Sequence, residues 1–234
     1  MKGSFRQGIR HGIPIALGYL SVSFTFGMKA VEEGLTVLQA VLVSMTNLTS
    51  AGQFAALPLM AAQASMAEVA LTQFTINLRY ALMSLSLGPR LDGSMGTLQR
   101  LAFSFMNTDE IFAVASSQPG KVGKTYLYGL MLTPWFGWAL GTLLGAAAGT
   151  LLPAFVRSAL GIAIYGMFLA IILPPSRKMA SVRVVTLAGI GLSVCFRLIP
   201  GLNQVSSGFT IIICAVLAAS LGALLYPVGE EEAS

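Results

Sequence analysis

Three groups of residues place charge or strong hydrogen-bonding capacity inside long apolar runs. Arg79 lies in the run 72–88 with Gln73, Asn77 and Tyr80 close by. An arginine at membrane depth costs about 2.5–3.5 kcal/mol on insertion scales unless it finds a partner or water. Asp109 and Glu110 form the only acidic pair well inside an apolar segment, 103–117. An acid in such a setting is a candidate proton carrier or the counter-ion of an arginine such as Arg79. Both roles are open to the pair, and residue type does not decide which carboxylate takes which. The third group is the polar stretch 47–53, ending in Ala51, Gly52 and Gln53, at the centre of the apolar run 35–62.

Helical periodicity sorts the first group into two faces. Gln73, Asn77, Tyr80 and Ser84 share one, and Arg79 lies roughly 160° away with Thr72, Thr75 and Ser86. With both faces polar, neither points freely at lipid, so this helix belongs inside a bundle. Arg79 then reads either as a ligand on a substrate path or as a tie between helices.

Catalytic signals are thin. His11 is the single histidine and sits at the edge of the first apolar run, as an interfacial residue would. Cys195 and Cys214 both fall in apolar segments and imply neither a disulfide framework nor a metal site. There is no histidine pair, nucleophile elbow or phosphate-binding loop. The chain is read as a non-enzyme with no catalytic residues, no metal and no cofactor. Any transport it performs draws on a gradient or a separate subunit.

The elements that must hold these residues follow from composition. Hydrophobic residues make up 55%, charged residues 10%, and the mean hydropathy is +0.78, where a soluble domain carries about a quarter charged residues. Backbone inside hydrocarbon must bond to itself, and the apolar runs are continuous rather than alternating, so helices are implied. The expected fold is all-α: one polytopic bundle over residues 1–234 with about eight spans, at 13–28, 35–62, 67–87, 98–116, 126–152, 158–173, 182–199 and 208–226. The first run is read as an uncleaved span rather than a signal peptide. The net charge of +5 is spread over short loops and suits a bilayer surface rather than nucleic acid. Eight full spans with both ends cytoplasmic place eight basic residues inside and five outside.

Two further patterns bear on the architecture. The run 35–62 is too long for one tidy span and reads either as two half-helices meeting near 47–54 or as one kinked helix. Pro14 and Pro134, Pro58 and Pro174, and Arg79 and Arg197 recur at spacings of 120, 116 and 118, a candidate duplication of the two halves. Gly129, Thr133, Gly137, Gly141, Gly145 and Gly149 form a small-residue stripe that lets another helix approach closely, in this chain or another.

The sequence resembles the AzlC-type branched-chain amino acid permeases (azaleucine-resistance proteins). The resemblance is carried by 18–27 with Gly34 and Leu35, by 44–54 ending in Ala-Gly-Gln-Phe, by Ile-Asn-Leu-Arg-Tyr-Ala-Leu-Met at 76–83, by Thr-Asp-Glu-Ile-Phe-Ala at 108–113, and by 138–149 leading into Leu152 and Pro153. It covers roughly residues 8–153. Where this chain has Tyr80, many family members carry a histidine. The resemblance implies a multi-pass plasma (inner) membrane transporter subunit that moves leucine, isoleucine and valine, usually outward, together with a small AzlD-type membrane subunit. An amino acid needs a cation for its carboxylate, acceptors for its ammonium and an apolar slot. On that basis Gln53, Phe54, Asn77, Arg79 and Met83 are the expected substrate-binding residues, with Phe74 beside the slot, and Asp109 and Glu110 the proton-coupling ones. The alternatives are a channel or carrier for another small organic anion or amino acid, and a non-transporting scaffold in which Arg79 and Asp109 are a fixed pair.

Overall fold

The computed structural model describes residues 3–227, and their regular structure is helical apart from one isolated bridge between Leu91 and Val122. The chain divides into two compact units. One holds the residues up to Leu57 together with Ile76–Gly161, and the other holds Pro58–Thr75 and the chain from Ile162 on.

The first unit is built on α1 (Phe5–Glu32) and α7 (Lys124–Ala148). Their contact is backbone against backbone. A Cβ added at Gly129 would meet the Phe5 carbonyl, one at Gly145 the Phe24 carbonyl, and one at Gly149 the Met28 side chain. From the α1 side, Gly8 and Gly27 lie as closely against the carbonyls of Tyr126 and Thr142. The glycine stripe thus finds its partner within this chain. Pairings advance in step along both helices, from Phe5 with Gly129 to Met28 with Gly149, so α1 and α7 run parallel.

Helices α2 (Val37–Thr46) and α3 (Ala51–Ala61) are 10 and 11 residues long. At 1.5 Å per residue each spans about 15 Å, half the hydrocarbon thickness. Thr36 and Gln39 start α2 with a reciprocal capping box. It sets out beside the C-terminal part of α1, with Ala40 in one cluster with Phe26 and Ala30. Ser44 then meets Thr142 at 2.6 Å, and Leu48 reaches Tyr19 and Trp138 near the middle of α1. There the chain reverses through Ser50, whose φ of 45° lies in the left-handed region. On the way back Gln53 donates to Ser44 at 3.2 Å, Phe54 packs edge-on against Phe26, and Leu57 rejoins the Phe26 cluster. The run 35–62 is therefore a hairpin that enters halfway and returns, the broken form of the two readings.

A second hairpin enters from the opposite end. The part of α4 (Met66–Leu87) in this unit leads through a 3-10 turn at Gly88–Arg90 to a cap in which the Gly96 N–H donates to Gln99. Helix α5 (Thr97–Phe105) packs Phe103 on Tyr128 and rises to a turn at 106–108 beside Tyr19. Helix α6 (Asp109–Ser116) then returns to the starting end, where Arg90 donates to the carbonyls of Ser116 and Gln118 and the Asp92 N–H donates to Val122 O at 3.0 Å. The expected single span 98–116 is corrected to two helices of 9 and 8 residues. Its break has a physical cause: Thr108, Asp109 and Glu110 make a helix N-terminus, with a cap-type residue followed by two acids on the positive end of the dipole.

The eight expected segments thus resolve into two hairpins and six helices of 19–28 residues, the last three being α8 (Ala154–Lys178), α9 (Ala180–Leu198) and α10 (Ser207–Leu225). Four of them, α1, α7, α9 and α10, are long and apolar enough to cross a membrane. The spacing near 118 pairs unlike elements, since Pro58 lies in the short α3 and Pro174 in the 25-residue α8. In the second unit α9 and α10 pack antiparallel, with Val185 against Gly222 and Gly189 against Ala218. Ser206 donates to the buried Glu68 carboxylate, and Gly208 lies against Glu68 and Thr72.

Charge in the first unit is lopsided. The end where α1 begins carries Arg6, Arg10, Arg90, Arg100, Lys121 and Lys124, while the other carries Lys29 and Arg157 with Glu32. Hairpins return Arg90 and Arg100 to the N-terminal side, which an eight-span count places opposite. By the positive-inside rule that end is the one expected on the cytoplasmic side. In a variant with Cys195 and Cys214 replaced by serine, Ser94→Cys is expected to react with an impermeant thiol reagent only in inside-out vesicles, and Glu33→Cys only in right-side-out ones. A second expectation concerns the helix contact. Gly145→Ala, facing a backbone carbonyl, should lower the apparent melting temperature in detergent, by overpacking worth about 1–3 kcal/mol. Gly18→Ala, with open space around its Cα, should not.

Candidate functional site

The two hairpin turns meet side chains of α1 and α4 at the middle of the first unit. On α4, Asn77 and Tyr80 face the first hairpin: Thr49 donates to the Asn77 side chain, and the Tyr80 hydroxyl donates to Thr49 O at 3.4 Å. One turn on, Ser84 accepts from the Asn107 amide of the second hairpin at 3.3 Å. These three lie on the face that helical periodicity groups together. They hold α4 against both turns.

Arg79 projects from the other side of α4 and curls back. Its guanidinium reaches Asp109 Oδ2 at 2.5 Å and donates to the Tyr80 hydroxyl at 3.2 Å, lying 4.9 Å from the Tyr80 ring centre. The pair is not sealed, with Arg79 and Asp109 side chains 42% and 41% exposed. Charged groups at this position in an apolar helix face water or protein rather than lipid.

Asp109 and Glu110 part company in the structure. While Asp109 turns to Arg79, the Glu110 carboxylate accepts from the Tyr19 hydroxyl of α1 at 2.5 Å. The same hydroxyl lies 2.6 Å from Thr108 Oγ1. One phenolic proton serves one acceptor, so an ionised Glu110 requires the Thr108 hydroxyl to supply the other hydrogen bond. Tyr19 is fixed from below by the edge-on indole of Trp138, centroids 5.2 Å apart. Two buried amide oxygens, Gln53 Oε1 and Asn107 Oδ1, have no hydrogen-bond partner among the described residues.

The remaining expected residues take other positions. Gln53 is fully buried on the Ser44–Thr142 pair, and Phe54 packs on Phe26, so both tie the first hairpin to α1 and α7. Met83 is half-buried on α4. Phe74 belongs to an exposed apolar stripe of α4 with Leu71, Leu78, Leu82 and Leu85. His11 meets the Tyr126 hydroxyl at 2.8 Å near the start of α7. Tyr19, Thr49 and Thr108 are central here yet escaped the sequence reading, because an uncharged hydroxyl in an apolar run carries no cost signal like that of Arg79. Among the described residues no cluster of His, Cys, Asp or Glu is arranged to hold a metal ion.

Paired broken helices that bring an ion pair to the middle of an apolar bundle are an arrangement of helical membrane transport proteins, in which irregular backbone is tolerated where it is buried in protein or lines a path. The family model described as AzlC protein matches residues 14–152, and the chain belongs to that family. The match runs from α1 to the end of α7, and so contains both hairpins. The chain is 29% identical to the inner membrane protein YgaZ of Escherichia coli over 195 residues, 80% of this chain and 79% of that one. It is 33% identical to an uncharacterized membrane protein of Archaeoglobus fulgidus over 93% of both chains, and 32% identical to one of Helicobacter pylori over 63% of this chain and 65% of that one. No solved structure matches it.

If Arg79 and Asp109 stabilise the fold through each other, either Arg79→Asp or Asp109→Arg alone should cut the yield of monodisperse protein from membranes. The exchange of both should recover most of it. Recovery no better than the worse single variant would show that the pair is not a mutual tie.

Proposed function

We propose that the protein is a secondary transporter subunit for branched-chain amino acids, leucine, isoleucine and valine, acting as an exporter in the plasma membrane with a small AzlD-type subunit. The observation that carries this reading is the opposite polarity of the two hairpin turns. The first turn presents the N-terminus of α3, with no acidic residue in its first turn, and the second presents Asp109 and Glu110. A helix N-terminus and a guanidinium both attract a carboxylate. The acids on the other turn suit an ammonium group, and the half-buried Met83, one helical turn past Arg79, suits a branched side chain.

In this mechanism Arg79 is shared. Empty, it is held by Asp109. An arriving substrate carboxylate takes over the guanidinium, and the released Asp109 accepts a proton or the substrate ammonium. Glu110, held by the Tyr19 hydroxyl, is the second proton-coupling group. Asn77 orients the first turn through Thr49 and does not itself bond the substrate. Gln53 and Phe54 act at one remove by fixing the hairpin.

The experiment is reconstitution in vesicles, with and without the small subunit, following labelled leucine, valine and acetate under an imposed pH gradient. Leucine and valine flux are expected, with Arg79→Gln reducing flux at least tenfold, the loss that follows from removing one charged hydrogen-bonding ligand. No leucine flux in any condition would sink the branched-chain reading. Acetate flux in its place would assign the path to small organic anions.

A further inference from the structure

Residues 5–61 and 66–116 are two copies of one plan: a long helix followed by a hairpin of two short helices. The copies enter the first unit from opposite ends. Equivalent positions keep a nearly constant spacing. Gln39 and Gln99, which cap the first short helix of each hairpin through the N–H groups of Thr36 and Gly96, are 60 apart. Ser44 and Ser104, and the asparagines that precede each reversal, Asn47 and Asn107, are also 60 apart. Each turn carries a threonine, Thr49 and Thr108, 59 apart. Each long helix carries a tyrosine fourteen residues past its first, Tyr19 from Phe5 and Tyr80 from Met66.

The tyrosines do not serve their own hairpins. Tyr19 of the first copy meets Thr108 and Glu110 on the second hairpin, at 2.6 and 2.5 Å, and Tyr80 of the second copy donates to Thr49 O on the first, at 3.4 Å. This crossed pairing is what a two-fold axis in the membrane plane produces, and inverted repeats with broken helices at their interface recur among transporters. Because the hairpins enter from opposite ends, each hairpin stands between the middle of the unit and one face of it.

We infer that the two hairpins are opposed gates of an inverted repeat, and that Tyr19 and Tyr80 are their latches. Tyr19 holds the hairpin on the side where α1 begins, and Tyr80 the hairpin on the other side. The inference rests on the transport reading but not on the substrate. The stronger, doubly bonded latch at Tyr19 and the single long contact at Tyr80 fit a state with the N-terminal side held shut. Each latch is one hydroxyl, so its removal should shift the opening of one side without dismantling the hairpin, whose packing rests on other residues.

The test reads accessibility rather than flux. In the Cys195→Ser/Cys214→Ser protein, Met106→Cys reports the second hairpin and Ser50→Cys the first, each labelled by an impermeant thiol reagent in vesicles of either orientation. Tyr19→Phe should speed labelling of Met106→Cys about three- to tenfold, the weight of one hydrogen bond, only from the side where α1 begins, leaving Ser50→Cys unchanged. Tyr80→Phe should do the reverse from the opposite side. Thr108→Val combined with Glu110→Ala removes both bonds of the first latch from the hairpin side and must reproduce the Tyr19→Phe result, which covers the case in which that variant fails to fold. Increases on the same side for both tyrosines, equal increases on both sides, or no change would overturn the gates. Side-selective labelling without leucine flux would leave the gates standing and remove only the substrate assignment.

Discussion

The first unit depends on the approach of α1 and α7 to backbone contact. Glycines on both helices, and little else between them, let carbonyls of one lie against the Cα atoms of the other. In a bilayer there is no hydrophobic drive to bring helices together, because lipid tails are as apolar as leucine side chains. Close packing of small residues supplies the attraction instead. The parallel sense of the pair sets the rest. The chain must come back to the N-terminal end of α1 before α7 can begin, and α4 makes that return. Two hairpins that each leave and re-enter on one side are compatible with it. One crossing segment and one hairpin would have left α7 antiparallel.

The close pair also provides the wall on which both hairpins are hung. Trp135 donates from α7 to Met45 O at the end of α2, Thr142 meets Ser44, and Trp138 supports Tyr19. Helices of 8 to 11 residues are too short to be stable alone, and inside a membrane their free ends add unpaired N–H and C=O groups. The polar residues at the turns answer that need: hydroxyls and amides of Thr49, Asn77, Tyr80, Ser84, Asn107, Thr108 and Tyr19 bond across rather than outward. The same groups that make the breaks tolerable therefore gather at the one level where the charges lie.

Much of the helical content was legible in the sequence, because apolar runs at membrane length are its strongest signal. The limits expected for α4, α9 and α10, 67–87, 182–199 and 208–226, fall within two residues of those found. The partnership of Arg79 with an acid near 109–110 was likewise legible from the cost of leaving either alone. Hydropathy averaged over a window of membrane length could not show that 98–116 reverses, because the apolar residues on either side offset the polar stretch 107–110. A helix-start signal buried in an apolar run has to be read for its capping chemistry rather than its polarity. Residue type leaves open which of Asp109 and Glu110 takes which role, but consecutive residues on a helix point about 100° apart, which is why one reaches α4 and the other α1. The 60-residue echo is faint in the sequence because the identities it preserves are few and scattered, and only the hairpins reveal that they are caps, turns and latches.

An inverted repeat makes the two hairpins alike in backbone, so what differs between them must come from side chains. Both turns present the N-terminus of a short helix to the middle of the unit. On the second hairpin Asp109 and Glu110 neutralise that positive end from within. The first has no acid in its opening turn, and Arg79, paired with Asp109, reaches it only through the Tyr80 hydroxyl that bonds Thr49 O. Symmetry of fold thus carries an asymmetry of charge, with anion-attracting groups toward one turn and cation-attracting groups toward the other. A uniformly charged pair of turns would favour a simple ion. In the proposed mechanism a pair of opposite sign suits a molecule bearing both charges, and among the described residues Arg79 links the two turns, bonded to the acid of one and to the tyrosine that meets the other.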